Sequence, residues 1–179
     1  MTDLTGKTVA MLATDGFEQS ELTEPKRRLE ALGAKVDVVA LDGQDSIRGW
    51  DKKDWGESVK VDRQLGKANA GDYDALVLPG GVINPDHLRR EAAAVAFVKA
   101  FAADDKPVAA ICHGPWMLAE TGLAKGRRLT SWSSLKTDLT NAGGRWEDSE
   151  VVVDGKLITS RNPDDIPAFS KAIADALAS

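Results

Sequence analysis

Short apolar runs alternate with helix-spaced segments along the whole chain, and this alternation is the feature that most narrows the fold. Residues 8–14 (TVAMLAT), 74–78 (DALVL) and 107–111 (PVAAI) are nearly continuous apolar runs, as in strands covered on both faces of a parallel sheet. Residues 35–41 (KVDVVAL) alternate, which predicts a more exposed strand, and residues 58–62 and 129–132 read as short strands. Between them lie helical patterns. One runs from the turn after residues 15–18 through Pro25 to Leu32, with Gly33 as its stop. Another covers residues 86–103, with Val95, Phe97, Val98 and Phe101 at apolar positions. Further helices are predicted over 114–120, over 134–142 (capped by Gly143-Gly144) and over 164–177. Residues 150–153 and 156–160 flank Asp154-Gly155, a type I′ hairpin signal. Residues 42–57, polar and carrying Trp50 and Trp55, form the least regular stretch. The pattern predicts an α/β domain with a mostly parallel sheet, whose ligands sit beyond the strand C-termini.

Length and charge narrow the function classes. At 179 residues the chain suits a single domain, residues 1–179, with room for a sizeable core. Its net charge of −5 offers no basic footprint for nucleic acid or for an anionic membrane, and Lys26-Arg27-Arg28 and Lys125-Gly-Arg127-Arg128 read as solvated surface. One cysteine excludes an internal disulfide and gives a thiolate-rich zinc site nothing to build on. Residues 1–7 lack the apolar stretch of a signal peptide and no later run is long enough to span a bilayer, so the expected location is cytoplasmic.

That one cysteine, Cys112, lies where the apolar strand 107–111 meets the start of a helix, with His113 beside it. Strand, sharp turn and helix is the geometry that exposes a nucleophile, and the unpaired N–H groups of a helix start favour thiolate, so Cys112 is expected to titrate below an ordinary cysteine. The alternative is a buried core cysteine at a strand end. Two other loops, at residues 15–18 and 79–81, also follow predicted parallel strands and should emerge at the same sheet edge, bringing a carboxylate and a Gly-Gly backbone to the thiol and imidazole. On local grounds Glu18 reads as a first-turn carboxylate answering the helix dipole, and Asp86 could cap the helix that follows it. His113 can face its neighbour's thiol only if the turn is irregular. His87 reads as a surface helix residue, and Trp116, Trp132 and Trp146 read as core or interface rather than as substrate stackers.

Several motifs carry a family resemblance across essentially the whole chain: Asp15-Gly-Phe-Glu18-Gln-Ser-Glu21, Asp74-Ala-Leu-Val-Leu-Pro-Gly-Gly81, Ala110-Ile-Cys-His-Gly-Pro115, Ala142-Gly-Gly-Arg-Trp146, Glu150-Val-Val-Val-Asp-Gly155 and Thr159-Ser-Arg-Asn-Pro-Asp-Asp165. In these the chain resembles the DJ-1/PfpI superfamily, specifically the PfpI-like branch of intracellular cysteine peptidases (family C56), and is similar to bacterial general stress proteins. The resemblance implies a three-layer α/β sandwich with a mostly parallel central sheet, flavodoxin-like or class I glutamine amidotransferase-like. It implies Cys112 as nucleophile, His113 as the histidine that follows it, and Glu18 as the acid bonded to the sulfur. Gly81 and His113 would supply backbone oxyanion donors, with no cofactor and no metal. Asp86 falls where archaeal members place a glutamate that completes a triad across a subunit interface, and it is one methylene shorter. The implied function is a cysteine-dependent hydrolase acting on carbonyl substrates in stress protection. Peptide hydrolysis, deglycation of proteins and glyoxalase-like hydration all begin with attack on a carbonyl. A homodimer or higher homo-oligomer is implied as well. The non-enzymatic alternative is a redox-sensing or chaperone-like stress protein that uses oxidation of Cys112.

Overall fold

The computed structural model describes residues 2–179, so Met1 of the N-terminal stretch lies outside the described residues. In chain order the elements are β1 (Thr8–Leu12), β2 (Phe17–Glu18), α1 (Gln19–Ala31), β3 (Lys35–Ala40), β4 (Ser46–Asp51), β5 (Asp54–Lys60), β6 (Arg63–Gln64) and β7 (Ala75–Leu78). They continue with α2 (Ile83–Leu88), α3 (Ala92–Ala103), β8 (Val108–Ile111), α4 (Trp116–Thr121), β9 (Arg128–Leu129), α5 (Lys136–Asn141) and β10 (Arg145–Trp146). β11 (Val152–Asp154), β12 (Leu157–Ser160) and α6 (Ile166–Ala178) complete the chain. Seven strands form the central sheet in the order β11–β12–β8–β7–β1–β3–β6, parallel throughout except for β11.

Strand periodicity divides the core into two layers. Val9 and Met11 of β1, Val77 of β7 and Ile111 of β8 face α1 and α6, where Leu22, Leu29, Phe169 and Ile173 are buried. Ala10, Leu12, Leu76, Leu78 and Ala110 face the other way, toward Leu88, Phe97, Phe101, Met117 and Leu139. Each fully buried Leu, Ile or Phe contributes about 1.5–3 kcal/mol. With helices on both faces the sheet is the middle of three layers, as expected.

Four sequence expectations change. β3 is buried over five of its six residues, because it lies inside the sheet between β1 and β6. The one polar residue among those five, Asp37, accepts a 2.9 Å hydrogen bond from the Tyr73 hydroxyl and is paired with Lys35 and Arg63. The irregular stretch 42–57 contains a real antiparallel hairpin, β4–β5, which joins β2 in a separate small sheet. The single helix predicted over 86–103 is two helices, since Glu91 is extended (φ −91°, ψ 109°) and restarts the chain as α3. The β11–β12 ladder closes at Asp154–Leu157, so its loop is Gly155-Lys156 with positive φ at Gly155 alone, the type II′ pattern rather than I′. Among the described residues no helix is long and apolar enough to cross a membrane.

Candidate active site

Cys112 follows β8 with φ at +63°, a left-handed conformation that L-residues other than Asn and Asp rarely adopt. Its neighbours hold it there: its N–H donates to the Ser160 carbonyl at 3.0 Å, and its own carbonyl accepts from the Trp132 N–H at 2.9 Å. Gly114 completes the turn, since a Cβ there would stand 2.5 Å from the Leu78 carbonyl oxygen. The turn is therefore irregular, and consecutive side chains converge instead of diverging. His113 Nδ1 lies 3.2 Å from Cys112 Sγ. Its imidazole is fixed by Trp132, stacked at 6.0 Å and 24°, and by the edge contact of Trp116 at 5.2 Å.

The loop after β7 supplies the backbone floor. The backbone N–H groups of Gly81 and His113 lie near enough to the Cys112 sulfur to favour its ionised form. Gly81 has φ +80°, and a Cβ on it would meet the Gly16 carbonyl oxygen at 2.3 Å and the Glu18 nitrogen at 2.6 Å. Asn84, wholly buried, staples this loop to the one after β1: its side-chain N–H donates to the carbonyls of Pro79 (3.0 Å) and Gly80 (3.1 Å), and its Oδ1 accepts from the Thr14 N–H at 2.8 Å. The sequence reading missed Asn84. Its only signal is an amide placed five residues after Pro79.

The carboxyl at the sulfur is Glu21, and this corrects the assignment to Glu18. Glu18 ends β2 in an extended conformation and turns toward the pocket mouth, where its Oε1 accepts from the Lys52 N–H at 3.2 Å. Glu21, one turn into α1, is 0 % exposed and accepts from the Gly80 N–H at 3.1 Å. A Cβ on Gly80 would stand 2.4 Å from Glu21 Oε1 and 2.7 Å from Cys112 Cβ, so carboxyl and thiol meet over this glycine. Periodicity carried the signal: Glu21, Pro25 and Leu29 form one i, i+4, i+8 stripe, all buried, and a charged residue in a buried stripe calls for a partner.

Burial decides the protonation states. It pushes the Glu21 carboxyl up to about 8, with the neighbouring Glu18 charge adding to the effect, so Glu21 is protonated at neutral pH. Burial, and then the charge that Glu21 acquires when ionised, push the Cys112 thiol up, against the pull of the Gly81 and His113 N–H groups. The depressed thiol expected from the helix start is therefore corrected: α4 begins only at Trp116, and at 7 % exposure desolvation outweighs the local dipoles. Burial lowers His113, which stays neutral and is a ready proton acceptor. Glu18, half-buried at the mouth, is raised by desolvation.

Residues 7–176 match the model of the DJ-1/PfpI family. The chain belongs to the DJ-1/PfpI family. It is 42% identical over 165 residues to "Putative cysteine protease YraA" of Bacillus subtilis, covering 92% of this chain and 95% of that one. It is 40% identical over 166 residues to "Protein/nucleic acid deglycase 2" of Escherichia coli, covering 92% and 94%. The crystal structure of Drosophila melanogaster DJ-1beta superposes with a TM-score of 0.87 at 32% identity, over 96% of this chain and 90% of that one.

In this family member the thiol opens into a cavity of about 600 Å³. Glu21, Gly81, Cys112 and His113 form its base; Glu18, Trp50, Lys52, Val82, Ile83, Trp132 and Pro163 form its walls and mouth. Trp132, 41 % exposed, faces the cavity and stacks on His113, so it lies at the site rather than in the core. The half-buried Trp146 indole N–H donates to Ser131 Oγ at 2.9 Å, behind this wall. Asp86 is exposed in the first turn of α2, forms no part of the cavity wall and does not cap the helix, because Val82 occupies the N-cap. His87 is exposed on α2, as expected. Among the described residues no three His, Cys, Asp or Glu side chains gather as metal ligands do.

Proposed function

We propose that this chain is a cysteine-dependent hydrolase of small carbonyl compounds or of carbonyl adducts on protein side chains. The observation that carries this reading is the His113 imidazole 3.2 Å from Cys112 Sγ at the floor of the cavity, with the Gly81 and His113 backbone N–H groups nearby. The thiol adds to the carbonyl carbon. An S–C bond forms, the C=O π pair moves to oxygen, and the thiol proton passes to His113 Nδ1. The Gly81 and His113 N–H groups hold the new oxyanion. A 2-oxoaldehyde such as methylglyoxal has no leaving group, so His113 returns the thiol proton to the oxyanion and then carries the C–H proton of the hemithioacetal to the neighbouring carbonyl carbon, while the hydroxyl proton passes to that carbonyl's oxygen; water hydrolyses the 2-hydroxyacyl thioester and frees the thiol. On an adduct the thiol displaces the side-chain amine, which takes the thiol proton, and the same hemithioacetal results. Protonated Glu21 adds no charge against the sulfur. A cavity of about 600 Å³ with apolar walls suits a small carbonyl compound or one modified side chain better than an extended peptide. The redox-sensor reading draws less support, because a sensor needs a standing thiolate and burial opposes one.

Assembly belongs to the same proposal. Val82 and Ile83 are exposed beside Asp86 at the cavity rim, which suits a homodimer in which a second copy delivers Asp86 toward His113. Mixing Cys112→Ala with Asp86→Ala subunits should then restore about a quarter of the wild-type sites by random pairing; full activity of Asp86→Ala alone would refute it. The reaction itself is tested by turnover of methylglyoxal and of a glycated peptide beside casein, with Cys112→Ala as control. The expected result is thiol-dependent turnover of the small carbonyl or the adduct with casein intact. Turnover that survives in Cys112→Ala would overturn the proposal.

A further inference from the structure

Among the described residues the His113 imidazole makes a single hydrogen-bonding contact, to Cys112 Sγ at 3.2 Å, and no carboxylate or backbone carbonyl bonds its ring. Two indoles hold it instead. Trp132 is 41 % exposed at the cavity rim. Trp116 is half-buried and off the cavity lining, with its ring centroid 5.2 Å from the imidazole and its plane at 70°.

Trp116 is itself held from two further sides. Its indole N–H donates to Asp138 Oδ2 of α5 at 3.0 Å, and the guanidinium of Arg89, just past α2, lies over its ring at 5.5 Å. Arg89 is paired in turn with Glu120 of α4 at 3.2 Å. Three short helices, α2, α4 and α5, therefore converge on the one indole that backs the imidazole. Water would satisfy the N–H of a half-buried indole; a carboxylate also fixes its direction.

We infer that Trp116 is a positioning residue, through which Asp138 keeps His113 Nδ1 turned to the Cys112 sulfur. The inference rests on the reading of His113 as the group that takes the thiol proton. One contact to sulfur leaves the imidazole free to swing, and a modest swing carries Nδ1 out of hydrogen-bond range. The edge contact of Trp116 bars that swing only while the indole cannot move, and the bond to Asp138 removes its freedom to do so.

The test is the rate of Cys112 alkylation by iodoacetamide at neutral pH in full-length wild type, His113→Gln, Trp116→Phe, Asp138→Ala and Asp138→Asn, with melting temperatures measured beside it. Asp138 is exposed, so its substitution leaves the core intact. Asp138→Ala and Trp116→Phe should each slow alkylation about three- to tenfold, as expected for the loss of one hydrogen bond. Asp138→Asn keeps an acceptor oxygen and should recover most of that loss. His113→Gln should be slowed about tenfold or more, and Asp138→Ala added to it should have no further effect, because the tie acts only through the imidazole. A wild-type rate in Asp138→Ala would overturn the inference and leave the role of His113 standing, as would an undiminished effect of Asp138→Ala in the His113→Gln background. A wild-type rate in His113→Gln would overturn that role and the inference with it. These outcomes stand even if Trp116→Phe does not fold.

Discussion

The base and the rim of the thiol cavity are built on opposite terms. At the base the backbone is so crowded that a Cβ on Gly80, Gly81 or Gly114 would fall within 2.3–2.5 Å of another atom, and Cys112 is held in a left-handed conformation. At the rim, Val82 is 55 % exposed, Trp132 41 % and Ile83 36 %, and the β4–β5 hairpin tip bearing Lys52 is exposed, held to Glu18 by one hydrogen bond. The base fixes where a proton and an oxyanion can reside. The rim has room to vary and decides what enters. Substitutions at the base should therefore cost rate and stability together, and those at the rim should have small effects on both.

The largest effect is expected at Gly80. Gly80→Ala drives a methyl between Glu21 and Cys112, and should cost about 3 kcal/mol in denaturant unfolding as well as nearly all turnover. A stable, active variant would mean that the base is not packed as described.

Next is the pH dependence of stability. Glu21 stands at about 8 in the fold against 4.5 for an ordinary glutamate, so the folded state holds its proton more tightly. That contribution is complete below about 4.5 and is lost as pH rises through 8, a decline on the order of several kcal/mol. Melting temperatures from pH 5 to 9 should fall in the wild type and fall much less in Glu21→Gln. Parallel curves would refute the buried proton.

At the rim, Trp132→Ala should raise KM several-fold, with kcat falling less and stability changing by about 1 kcal/mol. A collapse of kcat with KM unchanged would move Trp132 into the base. The smallest effect is at the hairpin tip. Lys52 has φ +59°, and Lys52→Gly should stabilise the fold by up to ~1 kcal/mol, read by urea midpoint, without altering Cys112 reactivity.

The same division explains what was legible in the sequence. The sheet and the three loops that meet at the thiol follow from apolar runs that end in Asp15-Gly16, Gly80-Gly81 and Cys112-His113, because parallel strands send their C-termini to one edge. The hairpin escaped because β5 is an exposed edge strand with almost no buried side chain to set a period-2 pattern. A carboxylate beside a loop, as at Glu18, suggests a site, whereas Glu21 is marked only by the apolar helix stripe that it shares with Pro25 and Leu29. The thiol's direction of shift was misjudged for a related reason. A helix start is visible in a sequence, but the desolvation that outweighs it depends on Gly80, Gly81 and α1 closing over the sulfur.

The central claim is that Glu21, and not Glu18, governs the proton on Cys112. It is tested most directly by the rate of Cys112 alkylation with iodoacetamide against pH in the wild type, Glu18→Gln and Glu21→Gln. Removing the charge that Glu21 gains above about 8 should move the Glu21→Gln profile to lower pH, while Glu18→Gln stays close to the wild type. A profile that shifts in Glu18→Gln and stays fixed in Glu21→Gln would contradict the account.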